Sequence, residues 1–296
     1  MTQALEELLS YLSLEQVDDT IFLGQTPDET RQRVFGGLVA SQALLSAGKT
    51  VDPTRRVHSL HGYFLVGGHP GQSITYVVEK VRDGGSFTTR RVVAQQHGVP
   101  LFVMTSSFQK AEEGFVHSTD MPQGIIPPEE LPTWQERLAP IMDTIDADTA
   151  KWLVRDRPID TRSETVPAWV DPTPRTAAQD VWFRADGTLP DDPLLHSCVM
   201  AYASDLSLLD TAMLPHGVDV TRKKFMMASL DHAIWFHEQC KVDDWLLYHQ
   251  HSPHASHARA LAYGEVFTRE GAHIATVMQE GLVRAFKSPK EPSKNK

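Results

Sequence analysis

A hydroxyl, a carboxylate and an imidazole occur within the four residues Ser229-Leu230-Asp231-His232, shortly before two aromatic residues. Aspartate and histidine can transfer protons as general acids or bases, and a hydroxyl can stabilise a developing negative charge by donating a hydrogen bond. The apolar spacing and the β-favouring residue types predict a half-buried strand from Met226 to His237. A polar side chain buried in such a strand needs a partner, because an unpaired one costs about 1–3 kcal/mol.

Two other stretches could supply that partner, since each carries a polar side chain among apolar neighbours. They are the helix-like residues 202–206, with Asp205, and the strand-like residues 276–281, with Gln279. By residue type alone, Asp231 and His232 look more catalytic than these. A helix aspartate is usually solvated or paired, and strand serines and glutamines mostly satisfy backbone groups or water.

The elements that must position these residues occur twice along the chain. The pattern predicts an amphipathic helix near Leu5–Leu12, then a buried helix that begins at a glycine pair and ends at Gly48. Strands are predicted at 57–65, 73–82, 86–96 and 100–109. The same order returns with a strand at 181–184, a helix at 194–213 and strands at 226–237, 245–251, 258–268 and 272–284.

The repetition is also visible in the amino-acid sequence itself, because residues 98–105 align with residues 271–278. It predicts an α+β protein of two similar units, each a helix followed by an antiparallel sheet. The boundaries we expect are an N-terminal domain at 1–110, a connector at 111–176 with one helical piece at 134–144, a C-terminal domain at 177–286 and a disordered tail at 287–296.

Composition limits the possible function classes. The 296 residues carry a formal net charge of -10, which argues against a general nucleic-acid binder. Local basic groups at Arg55-Arg56, Arg90-Arg91 and Arg222-Lys223-Lys224 could still hold a few phosphates. No apolar run is long enough for a membrane helix, the first residues lack a signal-peptide pattern, and there are only two cysteines, so we expect a cytoplasmic protein.

Other chemistries lack their expected patterns. His249, His251, His254 and His257 invite a metal interpretation, but a Ser-Pro break divides them and no nearby carboxylate has helical ligand spacing, so no metal site is predicted. The Gly-x-Ser-x-Gly turn of α/β serine hydrolases is absent, as are the dinucleotide fingerprint and the phosphate loop.

Several ordered blocks resemble the acyl-CoA thioesterase II family, whose members contain two hotdog folds in one chain. The matching blocks are Arg33-Val34-Phe35-Gly36-Gly37, residues 58–65, residues 82–92, residues 202–206, residues 230–237 and Gln279-Glu280-Gly281. They cover most of the sequence. Departures occur at Leu38, where relatives often have glutamine, and at Val66-Gly67, where many have Arg-Pro.

The resemblance implies a double hotdog that hydrolyses fatty acyl-CoA to a free fatty acid and CoA, without metal or cofactor. It places the catalytic cluster on Asp205, Ser229 and Gln279, where they would activate a water molecule. We expect His58, His61, Asp231 and His232 to lie at the substrate site, and we favour a structural contact between Asp231 and His232.

Two alternatives remain open at this point. One is a hotdog enoyl-CoA hydratase that depends on His232 or His61, and the other is an acyl-CoA-binding protein without turnover. By analogy with the family we also expect a homo-oligomer, a dimer or a tetramer.

Overall fold

The computed structural model describes residues 1–28, 33–145, 147–168, 170–217, 225–239 and 241–285. The predicted disordered tail at 287–296 and the basic group at 222–224 lie outside the described residues. The helices are α1 (Gln3–Tyr11), α2 (Gly36–Gly48), α3 (Trp134–Leu138), α4 (Ala147–Leu153) and α5 (Pro193–Ser204), with 3-10 segments at Pro128–Glu130, Ala139–Thr144 and Leu209–His216.

The strands form one antiparallel sheet that wraps around α2 and α5. They are β1 (Glu15–Asp18), β2 (Ile21–Gly24), β3 (Arg55–Phe64), β4 (Ile74–Asp83), β5 (Phe87–Gln96), β6 (Val99–Lys110), β7 (Ile159–Arg162), β8 (Ala178–Ala185), β9 (Phe225–Ser229), β10 (Asp231–Phe236), β11 (Leu246–Ser256), β12 (Arg259–Thr268) and β13 (His273–Ala285). Their order is β1-β2-β4-β5-β6-β3-β10-β13-β12-β11-β8-β7, and β9 pairs with β13. The β3–β10 pair therefore joins the strands that follow α2 to those that follow α5.

The two buried helices pack against each other in opposite directions. Gly48, at the end of α2, lies against the Leu194 side chain, and Gly37, at its start, lies against the Tyr202 carbonyl. Midway, the Ser41 hydroxyl donates a 2.8 Å hydrogen bond to the Cys198 carbonyl. Because α2 is apolar on nearly all sides, only a position between the sheet and another helix can bury it. The end of α5 is thereby brought to the start of α2.

The main predicted helices and strands agree with the structure except at three places, and the short strand β1 was not predicted. The helix predicted at 194–213 ends at Ser204, and a separate 3-10 segment follows from Leu209. The predicted connector contains α4 and also β7, which pairs with β8. Short elements of this kind have too few residues for a periodic pattern, which is why the sequence did not indicate them.

The third difference is a break at Leu230 in the strand predicted from 226 to 237. In β9, Ser229 pairs with Gly281, whereas in β10, Ala233 pairs with Met278. These two registers differ by one residue, so Leu230 is the extra residue of a β-bulge. The side chains of Ser229 and His232 consequently both reach the helix-facing side of the sheet, although regular alternation would send them to opposite faces.

Across the described part of the chain, no helix is long and apolar enough to cross a membrane.

Candidate active site

Asp205, Ser229 and Gln279 meet where α5 ends, as the resemblance implied. Gln279 on β13 donates from its Nε2 atom to Oδ1 of Asp205 at 2.6 Å and to Oγ of Ser229 at 3.0 Å. The Ser229 hydroxyl lies 3.4 Å from the same carboxylate oxygen. Gln279 is fully buried. Since both amide hydrogens of Gln279 are used, this side chain fixes the positions of the carboxylate and the hydroxyl together.

The start of α2 forms the opposite wall of this cluster. Phe35 precedes the helix and provides no side-chain cap, and the Gly37 backbone N–H donates to the Asp205 carboxylate instead. Asp205 thus caps a helix other than its own, where the helix dipole favours a negative charge. A Cβ atom at Gly36 would lie 2.9 Å from Oδ2 of Asp205, and one at Gly37 would lie 2.7 Å from the Tyr202 carbonyl oxygen. The glycine pair therefore serves close packing around the carboxylate.

The environment of Asp205 suits a base that works near neutral pH. Burial raises the pKa of Asp205 from 3.8 to about 6, and the hydrogen bonds from Gln279, Gly37 and Ser229 oppose part of that rise. A general base is most effective when its pKa lies near the working pH. Asp205 can accept a proton at neutral pH and remains ionised there.

Asp210 is a second acidic residue at this site, and the sequence interpretation did not include it. Burial, followed by the negative charge of Asp205, raises the pKa of Asp210 to about 7, and Arg157 acts in the opposite direction. The signal was an acidic residue inside the apolar run 208–214. Its closeness to Asp205 depends on the 3-10 segment, which the sequence pattern did not predict.

A cavity of about 560 Å³ adjoins the cluster. Its wall includes apolar residues that flank the glycine pair and Asp205 along the chain, namely Phe35, Leu38, Tyr202 and Leu206. It also includes the acidic residue Asp210 and the arginines Arg33, Arg137, Arg155 and Arg157. A larger cavity of about 1030 Å³ lies at the other end of the two helices, beside Gly48 and Pro193. The larger cavity is thus beside the end of α2, whereas the smaller one is lined by Phe35 and Leu38 at the start of that helix, where Asp205 lies.

Asp231 and His232 do not form the structural contact that we favoured. Oδ1 of Asp231 accepts the Glu280 backbone N–H at 2.6 Å, whereas Nε2 of His232 lies 2.8 Å from the Ser204 hydroxyl. The prediction was wrong because neighbouring residues in a regular strand point to opposite faces of the sheet. Of the two side chains, only that of His232 lies on the helix-facing side of the sheet, with Ser229 and Gln279. Burial lowers the pKa of His232 to about 4.

His58 and His61 lie on the outer face of the sheet. Nε2 of His58 is 2.8 Å from the Ser107 hydroxyl. Phe108, which follows Ser107 on β6, is buried in the core, so Ser107 and its partner lie on the opposite, outer face. His61 is exposed and packs edge-on against Trp235, with ring centroids 4.8 Å apart. Neither contacts Asp205, Ser229 or Gln279 among the described residues, and their role at the substrate site stays a prediction.

Several of the other histidines and arginines that the sequence singled out have structural partners. Nε2 of His251 lies 2.6 Å from Nε2 of His249, whose Nδ1 atom is 2.6 Å from Asp180. In the ranges that the structure describes, no group of three histidine, cysteine or acidic residues is arranged to hold a metal ion. Arg90 is 2% exposed and binds Thr50 and Asp83, so it is part of the core rather than a phosphate contact.

Two family models match the sequence. The acyl-CoA thioesterase N-terminal domain matches residues 26–109, and acyl-CoA thioesterase matches residues 155–282. Acyl-CoA thioesterase 2 of Haemophilus influenzae is 35% identical over 284 residues, which is 96% of this chain and 99% of that protein.

Solved structures give the same result for the fold. Acyl-CoA thioesterase II TesB2 from Mycobacterium marinum is 44% identical, with a TM-score of 0.77 over 96% of this chain and 99% of that one. A protein of unknown function with a hot dog fold from Alicyclobacillus acidocaldarius shares only 17% identity, yet has a TM-score of 0.75 over 96% of this chain and 98% of its own. The predicted hotdog fold is confirmed.

Proposed function

Because the chain belongs to the acyl-CoA thioesterase family and hydrolyses acyl-CoA thioesters, we propose that Asp205 is the general base of the reaction. The observation that carries the proposal is the 2.6 Å hydrogen bond from Gln279 to a carboxylate whose pKa is raised to about 6. Gln279 and Ser229 both approach Oδ1, which leaves Oδ2, next to Gly36, for a water molecule. General-base catalysis of this kind contributes about 100- to 10,000-fold.

The reaction then needs no covalent enzyme intermediate. Asp205 takes a proton from water as the water oxygen attacks the thioester carbonyl, and the carbonyl oxygen gains negative charge. The C–S bond then breaks as the carbonyl re-forms, and the proton on Asp205 passes to the leaving sulfur, which releases the acid and the CoA thiol and regenerates the carboxylate. The Ser229 hydroxyl accepts from Gln279, and its own proton, which points to Asp205 across 3.4 Å in the resting site, can turn to the attacking water or the oxyanion. The backbone amides beside Gly37, at the positive end of α2, are further candidates to stabilise the oxyanion.

We also propose that the cavity of about 560 Å³ receives the substrate. Its volume falls in the range of about 300–1,000 Å³ that is usual for small-molecule sites. Apolar side chains lie at its end near Asp205, and Arg33, Arg155 and Arg157 on its wall favour the phosphates of CoA, whereas Arg137 is buried and held by Thr161 and Thr165. Leu38, which departs from the family pattern, lies on this wall and is therefore in a position to affect which acyl group fits.

Further features remain proposals. A homo-oligomer and a cytoplasmic location are supported by the family resemblance and by the low cysteine content. We propose the domain boundaries 1–110, 111–176 and 177–286, and these agree with the repeated order of helix and sheet.

The experiment that tests the base is thiol release from acyl-CoAs of increasing chain length, with the wild type and Asp205→Asn. We expect the variant to lose turnover and to keep acyl-CoA binding, measured by calorimetry. Hydrolysis at the wild-type rate by Asp205→Asn would refute the role of Asp205, and binding without hydrolysis by the wild type would favour the non-catalytic alternative.

A further inference from the structure

His232 is a fully buried histidine that the proposed mechanism does not use. Its side chain is 0% exposed, and its Nε2 atom lies 2.8 Å from the Ser204 hydroxyl. Ser204 is the last residue of α5 and directly precedes Asp205. The Ser204 carbonyl also accepts a 3.3 Å hydrogen bond from the hydroxyl of Tyr248. Both contacts hold the stretch of backbone from which Asp205 projects.

Gln279 lies opposite His232 in the register of the sheet. Ala233 pairs with Met278, and the next position in that register sets His232 opposite Gln279, with both side chains fully buried. Nδ1 of His232 and Oε1 of Gln279 both lack a hydrogen-bond partner among the described residues. Directly opposed residues on one face of a sheet have Cβ atoms about 4.5–5.5 Å apart, so small side-chain rotations can join these two atoms.

Only one neutral tautomer of His232 can satisfy both atoms. With the proton on Nδ1, the ring donates to Oε1 of Gln279, and Nε2 accepts the hydroxyl proton of Ser204 at 2.8 Å in preference to the Ala201 carbonyl, which lies 3.1 Å from that hydroxyl. With the proton on Nε2, two buried acceptors face each other without a donor. Since buried polar atoms in folded proteins are nearly always paired, the Nδ1–H tautomer is favoured.

We propose that His232, as its Nδ1–H tautomer, is a positioning residue for acyl-CoA hydrolysis that orients Gln279 on one side and Asp205, through Ser204, on the other. The inference rests on the proposed roles of Asp205 and Gln279. A glutamine amide has nearly the same shape when its oxygen and nitrogen are exchanged. In the exchanged orientation Oε1 would face the Asp205 carboxylate, which would lose its 2.6 Å donor. Donation from His232 to Oε1 keeps the nitrogen toward Asp205.

The kinetic test compares His232→Phe with His232→Asn. Phenylalanine keeps a ring and removes both hydrogen bonds, whereas asparagine keeps an N–H close to the position of Nδ1. We expect His232→Phe to lower kcat about 10- to 100-fold with KM nearly unchanged, in line with the loss of hydrogen bonds to a buried charged site. We also expect the acid limb of its pH profile to move to higher pH, and His232→Asn to recover much of both losses.

His196→Phe is the matched control. This histidine is 5% exposed, lies on α5 near its other end, and accepts the Val242 N–H at Nδ1. We expect the control to lower the thermal midpoint and to leave kcat and the acid limb unchanged. Wild-type kcat and an unmoved acid limb in His232→Phe would overturn the proposal. If that variant does not fold, an Nε2–H signal from His232 in the wild-type protein would overturn it.

The tautomer can be observed in the wild-type protein by nitrogen-15 NMR with labelled histidine, using His232→Asn for assignment. We expect the Nδ1 resonance to be that of a protonated nitrogen and the Nε2 resonance that of an acceptor. The reverse pattern would overturn the inference. This measurement needs no turnover, so it separates a failure of the tautomer assignment from a failure of Asp205 as the base.

Discussion

Replacing Gln279 with methionine tests how the cluster controls the base. Methionine is unbranched and of similar length, so it fills the same space without a hydrogen-bond donor. The lost bond is short, 2.6 Å, and its acceptor is a carboxylate. A hydrogen bond to a charged group contributes about 1.5–3 kcal/mol, and a change of one pKa unit corresponds to about 1.4 kcal/mol. Removing it should raise the pKa of Asp205 by about 1–2 units from its value of about 6.

The direction of the change in activity follows from the role of the base. Asp205 accepts a proton only when ionised, so kcat/KM increases with pH as Asp205 loses its proton. In Gln279→Met the acid limb should therefore move from near pH 6 to about pH 7–8. The assay is the pH dependence of kcat/KM, followed by loss of thioester absorbance so that thiol reagents do not limit the pH range.

Gln42→Met provides the control for a buried glutamine. Gln42 is also fully buried, but it binds Tyr11, Gln25 and Tyr76 rather than the cluster. We expect lower stability and an unchanged acid limb. If Gln279→Met loses activity while its acid limb stays near pH 6, Gln279 does not act on the Asp205 pKa, and its role is in stabilising the transition state instead.

Three further variants test the remaining groups of the site. Asp205→Asn should be more stable than the wild type by up to about 3 kcal/mol at pH 7. The pKa of the Asp205 carboxyl rises from 3.8 to about 6 on folding, so the wild-type protein loses stability as the pH increases through that window and the asparagine variant does not. Denaturant unfolding should show no such gain at pH 3. Ser229→Ala should lower kcat about 100- to 1,000-fold if its hydroxyl stabilises the oxyanion, whereas Ser229→Thr should stay active because it keeps the hydroxyl and restricts its rotamer. Asp210→Asn should move the acid limb to lower pH, because the negative charge of Asp205 raises the pKa of Asp210 and the repulsion between two carboxylates acts on both. An unchanged profile would show that the two carboxylates are independent in the enzyme.

The sequence predicted the main elements and the proximity of Asp205, Ser229 and Gln279 for different reasons. Long periodic segments, such as the buried helix α2 and strands β3 to β6, follow from the alternation and spacing of apolar residues. The grouping of Asp205, Ser229 and Gln279 did not follow from such patterns. Their residue types alone favoured Asp231 and His232, and only the family resemblance pointed to the cluster that the structure contains.

The features that the sequence did not predict all depend on single positions. One extra residue at Leu230 changes which side chains share a face of the sheet. The spacing of hydrophobic residues does not reveal such an insertion in a mostly apolar strand. The spacing of apolar residues likewise did not reveal that α5 ends at Ser204, since Leu206, Leu208 and Leu209 continue the apolar pattern beyond the helix. Both irregularities lie within the catalytic cluster.

These two irregularities together explain why the carboxylate has a raised pKa and yet remains ionisable. The end of α5 places Asp205 at the helix terminus, where its carboxylate accepts from the Gly37 N–H at the start of α2. Had the strand continued without the bulge, Ser229 and His232 could not both have faced the helices, and either the hydroxyl at Asp205 or the contact at Ser204 would be missing. The fold accepts a buried carboxylate at this point because the Gln279 amide, the Gly37 N–H and the Ser229 hydroxyl all donate to it. Burial makes Asp205 basic enough to take a proton from water, and these three donors keep its charged form accessible at neutral pH.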